Sequence, residues 1–214
     1  ADDLEGVATA RVGDTIHMIH QVTREVFHHA FEMTADGGRW VIDSDSIAAP
    51  GVPATQYADV VALGDGSLLA FYSGARRLFL QRRSAAGEWA EPREIDSTLE
   101  PELSGPVLVA GSDDSVTLAY TGRDGRGFVR RLLADGSLTP RLTLSNDLGT
   151  EDPQNGAILP LVAMDSAAGG SETVIVYREE NGLLYERRLS AVGQLSDAAL
   201  ISPIPVVTDA VDSE

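Results

Sequence analysis

The chain of 214 residues contains no cysteine and no lysine. Without cysteine it forms no disulfide, uses no thiolate nucleophile and holds no zinc or iron–sulfur cluster through sulfur ligands. All 16 basic residues are arginines and 33 residues are acidic, so the formal net charge is −17. That charge would repel a phosphate backbone or an anionic membrane surface, so nucleic acid is not expected as a partner.

Long apolar segments are missing as well. No apolar run approaches the roughly 18 residues of a membrane-spanning helix, and no segment has a convincing helical period. The length suffices for one all-β domain with a sizeable core or for two small ones. The sequence begins at Ala1 and not at Met, as expected of a mature chain after removal of a signal peptide or of a trimmed chain. We therefore expect a secreted or periplasmic protein, and we expect no cofactor.

What the sequence does contain is a series of short strand patterns between turns. The clearest stretch, Tyr57–Asp96, holds four apolar or alternating runs separated by turns that contain glycine. The runs are Ala58–Leu63, Ser67–Ser73, Leu78–Arg83 and Trp89–Ile95. Four such strands predict an antiparallel meander, which cannot bury both faces alone and needs neighbours of the same kind.

The same unit recurs along the chain. One set of marker residues lies in the turn between the third and fourth strands, at spacings of 50, 49 and 57 residues: Gly37, Gly87, Gly136 and Gly193. Another set ends the second strand, at spacings of 52, 48 and 57 residues: His20, Tyr72, Tyr120 and Tyr177. Repeats of about 40–50 residues with four strands each predict an all-β fold, a β-propeller with four visible four-stranded blades.

The predicted blades are residues 6–47, 57–96, 105–145 and 157–202, joined by polar links. Residues 203–214 have the composition of another link, rich in Pro and Asp, and we interpret them as leading to a further blade. Four blades could close as a small ring. We favour part of a larger propeller whose remaining blades lie on a second chain, because an open ring leaves flanks that something must cover.

The turns between third and fourth strands share a pattern of small residues, glycine and a large apolar residue. They read TADGGRW (residues 34–40), SAAGEW (84–89), ADGSL (134–138) and SAVGQL (190–195). These turns resemble degenerate Asp-boxes, the S-x-D-x-G-x-T-W turns of sialidase-like β-propellers. The resemblance implies that the turns are structural and lie opposite the ligand site. It also implies glycosidases, polysaccharide lyases and sugar-binding lectins as relatives, but the catalytic residues of a sialidase are not placed here by motif.

Charged loop residues gather at the other end of each predicted blade, where propellers normally carry a ligand funnel. The candidate ligand-binding residues there are Tyr57, Asp59, Arg76, Arg77, Arg123, Asp124 and Glu179. They predict a site for a glycan or another polar ligand, with Tyr57 as a stacking surface, and ordinary solvated loops are the alternative. Asp59, at the start of an innermost strand, is the candidate catalytic carboxylate. Glycoside hydrolysis also needs a second carboxyl group, which the sequence does not assign.

All four histidines fall in the first repeat. If a three-residue loop joins the second and third strands, His20 lies directly opposite His28, close enough to share a metal ion. Two imidazoles are fewer than the three or four ligands of a zinc site, so a paired polar hairpin is the alternative.

Arginine pairs recur on the third strands of three repeats: Arg82-Arg83, Arg130-Arg131 and Arg187-Arg188. Adjacent residues of a strand point to opposite faces. We therefore expect one arginine of each pair to bridge acidic neighbours between blades and the other to be solvated.

Three functions are compatible with these patterns. We rank a carbohydrate-binding module first. The alternative is a glycosidase or lyase acting on polysaccharide, completed by a second chain, and the third hypothesis is a scaffold for protein partners. Aromatic surfaces between blades would favour binding, whereas several carboxylates around one cavity would favour an enzyme.

Overall fold

The computed structural model describes residues 5–22, 25–47, 54–74, 77–96, 107–121, 126–145, 161–166, 172–179 and 183–202. These residues form sixteen β-strands in four antiparallel four-stranded sheets, each built from four consecutive strands in sequence order. The predicted all-β fold with four four-stranded blades is confirmed, and we call the sheets blades 1 to 4. Within this part of the chain, no helix is long and apolar enough to cross a membrane.

The strands of each blade follow one another through short connections. Blade 1 consists of β1 (Glu5–Val12), β2 (Thr15–Val22), β3 (Glu25–Thr34) and β4 (Gly37–Ser46). Blade 2 consists of β5 (Ala54–Ala62), β6 (Leu68–Gly74), β7 (Arg77–Arg83) and β8 (Arg93–Asp96). Blade 3 consists of β9 (Val107–Ala110), β10 (Val116–Thr121), β11 (Gly127–Leu132) and β12 (Leu142–Ser145). Blade 4 consists of β13 (Leu161–Ser166), β14 (Thr173–Arg178), β15 (Leu184–Leu189) and β16 (Ala199–Ser202).

The second strands differ in how many of their faces are buried. Every residue of β6 and of β10 is buried, because blades 2 and 3 have a neighbour on each side. In β2 and β14 buried residues alternate with partly buried ones, because one face of blades 1 and 4 packs against a neighbour and the other does not. The number of packed faces therefore explains both patterns. β6 is packed on two faces and has a continuous apolar run, whereas β2 is packed on one face and has a mixed run.

The described residues form three hydrophobic clusters, one at each contact between consecutive blades. Ile19 and Val26 of blade 1 pack with Tyr72 and Phe79 of blade 2. The contact between blades 2 and 3 includes Leu118, whose side chain is fully buried. Blades 3 and 4 meet through a cluster of their own. No blade holds a core by itself, so each depends on its neighbour for burial.

An aromatic ring pair repeats at the hairpin end of the second and third strands. Its members are the marker residue of the second strand and the ring directly opposite it on the third. The pairs and their centroid distances are His20–Phe27 (5.7 Å), Tyr72–Phe79 (5.7 Å), Tyr120–Phe128 (5.9 Å) and Tyr177–Tyr185 (5.9 Å). Tyr72, Tyr120 and Tyr177 are therefore packing residues of the contacts between blades, whereas His20 lies on the other face of blade 1.

Polar groups on or beside these rings donate hydrogen bonds to the main chain of the preceding blade. In each case the acceptor is a main-chain carbonyl oxygen at an equivalent position on or next to the fourth strand. The bonds run from Tyr72 Oη to Ile47 O (3.4 Å), from Arg130 Nη1 to Ile95 O (2.8 Å) and from Arg187 Nη1 to Leu144 O (2.8 Å). The accepting residues are themselves buried, so each bond satisfies a carbonyl that packing removes from water.

The marker glycines of the repeats all require a left-handed backbone. Their φ angles are 130° for Gly37, 102° for Gly87, 81° for Gly136 and 76° for Gly193. In the last three turns the glycine N–H donates to the carbonyl oxygen three residues earlier. A glycine recurs because residues that carry a Cβ atom are strained at such angles.

The predicted opposition of His20 and His28 is wrong. The loop between β2 and β3 has two residues and not three, so the register shifts by one and His20 faces Phe27 while His28 faces Ile19. A shift of one residue moves a side chain to the other face of the sheet. The two histidines therefore lie on opposite faces of blade 1 and cannot share a metal ion.

Leu118 tests the dependence of the fold on contacts between blades. Replacing Leu118 by Ala leaves a cavity between blades 2 and 3, and we expect the free energy of unfolding to fall by about 2–5 kcal/mol. Urea unfolding followed by circular dichroism measures the change. Val192→Ala, at a side chain that is 80% exposed, is the control and should change stability by less than about 0.5 kcal/mol. Equal effects of the two substitutions would contradict the assigned core.

Candidate functional site

Asp59 ties two blades together through main-chain amides. Its Oδ2 accepts a hydrogen bond from Leu108 N of blade 3 at 2.6 Å, and its Oδ1 accepts one from Val60 N at 2.8 Å. Burial raises the pKa of Asp59, and the two amide donors oppose that rise. Both carboxylate oxygens thus have structural partners. The catalytic role predicted for Asp59 stays a prediction, and these contacts do not support it.

The other residues of the predicted funnel are only partly described. Arg77 Nη1 pairs with Glu94 Oε2 of its own blade at 3.1 Å, and both side chains are exposed. Glu179 accepts a hydrogen bond from Ser145 Oγ at 2.8 Å, across the contact between blades 3 and 4. Outside the described residues and side chains lie Arg76, Arg123, Asp124 and the side chain of Tyr57. The predicted ligand set therefore stays a prediction.

The histidines form two pairs, one on each face of blade 1. His17 Nδ1 and His28 Nε2 share a hydrogen bond of 2.9 Å on the face that packs against blade 2, where the Trp89 ring stands edge-on to His28. On the opposite face His20 stacks on His29. Burial lowers the pKa of His17 to about 4 and that of His28 to about 3, with the Arg83 guanidinium adding to both effects.

Neither histidine pair is a metal site on this geometry. Among the described residues, no group of three or more His, Asp or Glu side chains is placed to hold an ion. Each pair supplies two nitrogens, fewer than the three or four protein ligands of a zinc site. The His17–His28 pair is a polar contact within the interface between blades 1 and 2.

Two cavities meet at Arg82, at the end of the blades opposite the predicted funnel. One, of about 160 Å³, lies between blades 2 and 3 and is lined in part by Leu63, Leu69, Asp114 and Leu132. The other, of about 260 Å³, is open to solvent and is lined by Arg82, Ser84, Glu88, Trp89 and Ala90. Both lie beside the turns that join the strands at this end, so the side chains around Arg82 come from several segments of the chain.

The guanidinium of Arg82 is held in place from one side. Its Nη2 bonds Asp65 Oδ2 at 2.6 Å, and its Nε donates to Ser67 Oγ at 3.2 Å. Hydrogen bonds from Ser67 to Asp65, and then the charge of Arg82, lower the pKa of Asp65 and keep it ionised. The Arg82 side chain is 49% exposed, and its Nη1 has no hydrogen-bond partner within the described part of the chain. A fixed guanidinium with an open donor is suited to bind ligand oxygens.

The equivalent arginines of blades 3 and 4 are differently placed. Arg131 is 1% exposed and bonds Ser115 Oγ, Asp113 and, in blade 4, Ser190 O. Arg188 is exposed and pairs with Glu186 and Glu172 of its own blade. Of these three positions, Arg82 is the one that faces both cavities.

The arginine pairs follow the prediction only in part. The carboxylate of Asp45 in blade 1 opposes the lowering of the pKa of Arg83 by burial, so this arginine interacts with an acidic residue of the preceding blade. Arg130 and Arg187 do cross between blades, but they bond main-chain carbonyl oxygens of the preceding blade. Arg82 pairs with Asp65, Arg131 with Asp113 and Arg188 with Glu172, each within its own blade. A carbonyl acceptor leaves no trace in the sequence, so the pattern of charges indicated acidic side chains instead.

Sequence reasoning also missed the cavities at Arg82. It assigned Arg82 to a repeated structural pair and Trp89 to packing. The available signal was that Arg82 and Glu88-Trp89 lie on either side of one turn, six and seven residues apart. That spacing brings a cation, a carboxylate and an indole to one end of the blade, although blades 3 and 4 carry leucine where blade 2 has Trp89.

Comparisons with known proteins identify the fold. No family model and no curated protein matches the sequence. Among solved structures, the BP39L lectin of Burkholderia pseudomallei superposes with a TM-score of 0.71 over 92% of this chain and 56% of that chain, at 15% identity. The fold is a β-propeller. Identities this low show the fold alone.

Two further lectins of known structure are similar to this chain in fold. The SapL1 lectin, solved in complex with alpha methyl fucoside, has a TM-score of 0.59 at 12% identity and is covered to 65%. The lectin of Aleuria aurantia, a six-bladed β-propeller, has a TM-score of 0.53 at 11% identity and is covered to 63%. The two matches cover 92% and 93% of this chain, respectively. It thus spans about 56–65% of the length of the lectins it matches, and its four blades are consistent with part of a larger propeller.

The buried histidine pair predicts acid sensitivity. In the folded protein His17 and His28 stay neutral to about pH 4 and 3, whereas the unfolded chain takes up protons near pH 6.5. The unfolded state therefore binds more protons below pH 6.5, and the free energy of unfolding should fall as the pH is lowered toward 4. The slope approaches about 1.4 kcal/mol per pH unit for each histidine.

Urea unfolding at several pH values between about 7.5 and 4 measures this slope. His17→Gln removes one of the two titrating groups while keeping a polar partner for His28, so its stability should fall less steeply with acidification. Identical pH profiles for His17→Gln and the parent protein would contradict the assignment.

Proposed function

We propose that this chain is a carbohydrate-binding β-propeller module that recognises a sugar in the cavities around Arg82. The observation that carries the proposal is the fixed guanidinium of Arg82, whose side chain lines both cavities, one of which is also lined by Glu88 and Trp89. Sugars present vicinal hydroxyl oxygens and an apolar ring face. A planar donor, a carboxylate acceptor and an indole meet both requirements.

The size of the cavities suits a small ligand. Their volumes of about 160 and 260 Å³ are below the range of about 300–1,000 Å³ typical of pockets for drug-sized molecules. We therefore assign one or two sugar rings to the site and not a long chain threaded through a groove. The similarity to lectins supports the class of ligand, and the fucoside bound by SapL1 makes a fucoside the first probe.

Two finer assignments belong to this proposal. The Asp-box resemblance of the turns supports a distant relation to sialidase-like propellers, but the site proposed for this chain lies beside these turns and not opposite them, as the resemblance implied. The positive φ of the turn glycines is the local feature consistent with it. We also propose a secreted or periplasmic location, where free glycans and cell-surface glycans are accessible.

Arg82→Met tests the site directly. The methionine keeps an apolar stem of similar length but removes every donor, and we expect sugar binding to weaken by about 10- to 100-fold, because a hydrogen bond to a charged group contributes about 1.5–3 kcal/mol. A glycan array identifies the ligand, with methyl α-L-fucoside included, and isothermal titration calorimetry measures the affinity.

The matched control is Arg188→Met, at the equivalent position of blade 4 and with nearly the same side-chain exposure, 51% against 49%. Affinity for the sugar should be unchanged in this variant. Equal loss in both variants would place the site elsewhere. Absence of binding to any glycan, or release of reducing ends from a polysaccharide, would overturn the proposed binding function.

A further inference from the structure

The cavity between blades 2 and 3 keeps a negative charge. Its charged lining residues in the described part of the chain are Asp65 and Arg82 of blade 2 and Asp114 of blade 3. Asp65 pairs with Arg82 at 2.6 Å, so their opposite charges largely cancel. Asp114 is exposed, and among the described residues no arginine pairs with it. The charge of Asp114 is therefore the one that this cavity presents to a ligand.

The backbone of Asp114 adopts a left-handed conformation. Its φ angle is 58°, and within the described ranges it is the one residue other than glycine with a positive φ. The equivalent residue of blade 2 is Gly66, with φ 80°, because turns 63–67 and 111–115 are closed by the same main-chain hydrogen bond between their first and last residues. Glycine fits this position without strain, so the turn itself does not account for a carboxylate there.

The side chain of Asp114 reaches across to blade 2. Its Oδ1 accepts a hydrogen bond from Gly64 N at 3.2 Å. Gly64 allows this approach because a Cβ atom at that position would lie 2.8 Å from the same oxygen. The equivalent of Gly64 in blade 3 is Ser112, so the arrangement is particular to this contact. The bond fixes one oxygen of Asp114 beside the cavity, and its Oδ2 has no partner in the described part of the chain.

The second cavity at Arg82 is acidic as well. Glu88 lines it, and no described arginine forms an ion pair with the Glu88 carboxylate. The charged residues described in the lining of the two cavities are thus three carboxylates and one guanidinium. An anionic ligand would meet Glu88 and Asp114 while the charge of Arg82 is already engaged by Asp65. Like charges brought together in a binding site weaken binding, so the lining favours an uncharged ligand.

We propose that the site selects neutral sugars and that Asp114 is a specificity-determining residue. One hydroxyl of the sugar donates to Asp114 Oδ2, and another sugar oxygen accepts from Arg82 Nη1, so the ligand bridges blades 2 and 3. Sugars that carry a carboxylate, such as sialic and uronic acids, are rejected. This inference rests on the proposed sugar site at Arg82 and adds to it the class of sugar and the residue that sets it.

Asp114→Asn separates the charge of this residue from its contact with Gly64. Asparagine tolerates a left-handed backbone and keeps an oxygen acceptor for Gly64 N, so the urea midpoint should be unchanged. We expect affinity for the neutral sugar to weaken about fivefold, because a hydrogen bond to a neutral acceptor is weaker than one to a carboxylate. The preference for a neutral over an acidic sugar should be at least about tenfold in the parent and should shrink in this variant.

A glycan array that pairs each neutral glycan with its sialylated or glucuronylated form measures this preference. Isothermal titration calorimetry then gives both affinities for the pair with the strongest response. Raising the salt concentration from about 0.05 to about 0.5 M screens charge repulsion. The neutral preference of the parent should therefore decrease with salt, and the smaller preference of Asp114→Asn should change less.

Two further variants serve as matched comparisons. Asp197→Asn removes one negative charge from an exposed residue of the turn region in blade 4, and it should leave the affinity and the preference as in the parent. Asp114→Gly removes both oxygens and gives the turn the residue that Gly66 provides in blade 2, so it should fold and lose the preference as Asp114→Asn does. Circular dichroism and urea unfolding establish that each variant is folded.

The outcomes distinguish this inference from the proposed site. If Arg82→Met abolishes binding while both Asp114 variants keep the affinity and preference of the parent, the role of Asp114 is wrong and the site stands. A parent protein that prefers acidic glycans, or equal effects of Asp197→Asn and Asp114→Asn, would also overturn the inference alone. Unfolding of both Asp114 variants would make the residue structural.

Failure of the site itself gives a different result. If no glycan binds, or if Arg82→Met binds as the parent does, the proposed site is wrong and the role of Asp114 falls with it.

Discussion

Burial of apolar surface between neighbouring sheets is the interaction on which the rest of this structure depends. Each four-stranded sheet has two faces, and neither is shielded within its own blade. The three core clusters all combine side chains of consecutive blades. Turn glycines, ring pairs and hydrogen bonds from the third strand act within this constraint, because they orient the sheets so that their apolar faces meet. The position of the cavity between blades 2 and 3, beside the turns, also follows from it.

Arginine has a particular part in these contacts. Main-chain carbonyls at the edge of a buried interface need donors, and the guanidinium of Arg130 reaches Thr139 in its own blade and Ile95 in the preceding one. Arg187 does the same with Ser196 and Leu144. A lysine ammonium could not span two acceptors with a fixed planar fork. Much of the positive charge in this acidic chain is therefore structural, which makes the open donor of Arg82 stand apart.

The repeats and blade number could be predicted from sequence because their signals are local. A glycine at positive φ and an aromatic residue at a hairpin end are required by backbone and packing geometry wherever the unit occurs. The histidine register could not be predicted, since it depends on whether a loop has two or three residues, and no pattern in residues 23–25 decides this. The cavity between blades 2 and 3 depends on which blade lies next to Arg82. That information arises from tertiary packing and is absent from the spacing of charges.

In the described part of the chain, consecutive blades are coupled through the faces that they share. Blade 2 is packed on both faces, whereas blade 1 is packed on one face, against blade 2. Molecules built in this way behave as one-dimensional arrays, in which order propagates from neighbour to neighbour and fraying begins at the termini of the array. The blade is then also the natural unit of evolutionary change. Duplication or loss of a whole blade leaves every remaining contact between blades intact. Insertion of part of a blade disrupts each contact that it touches.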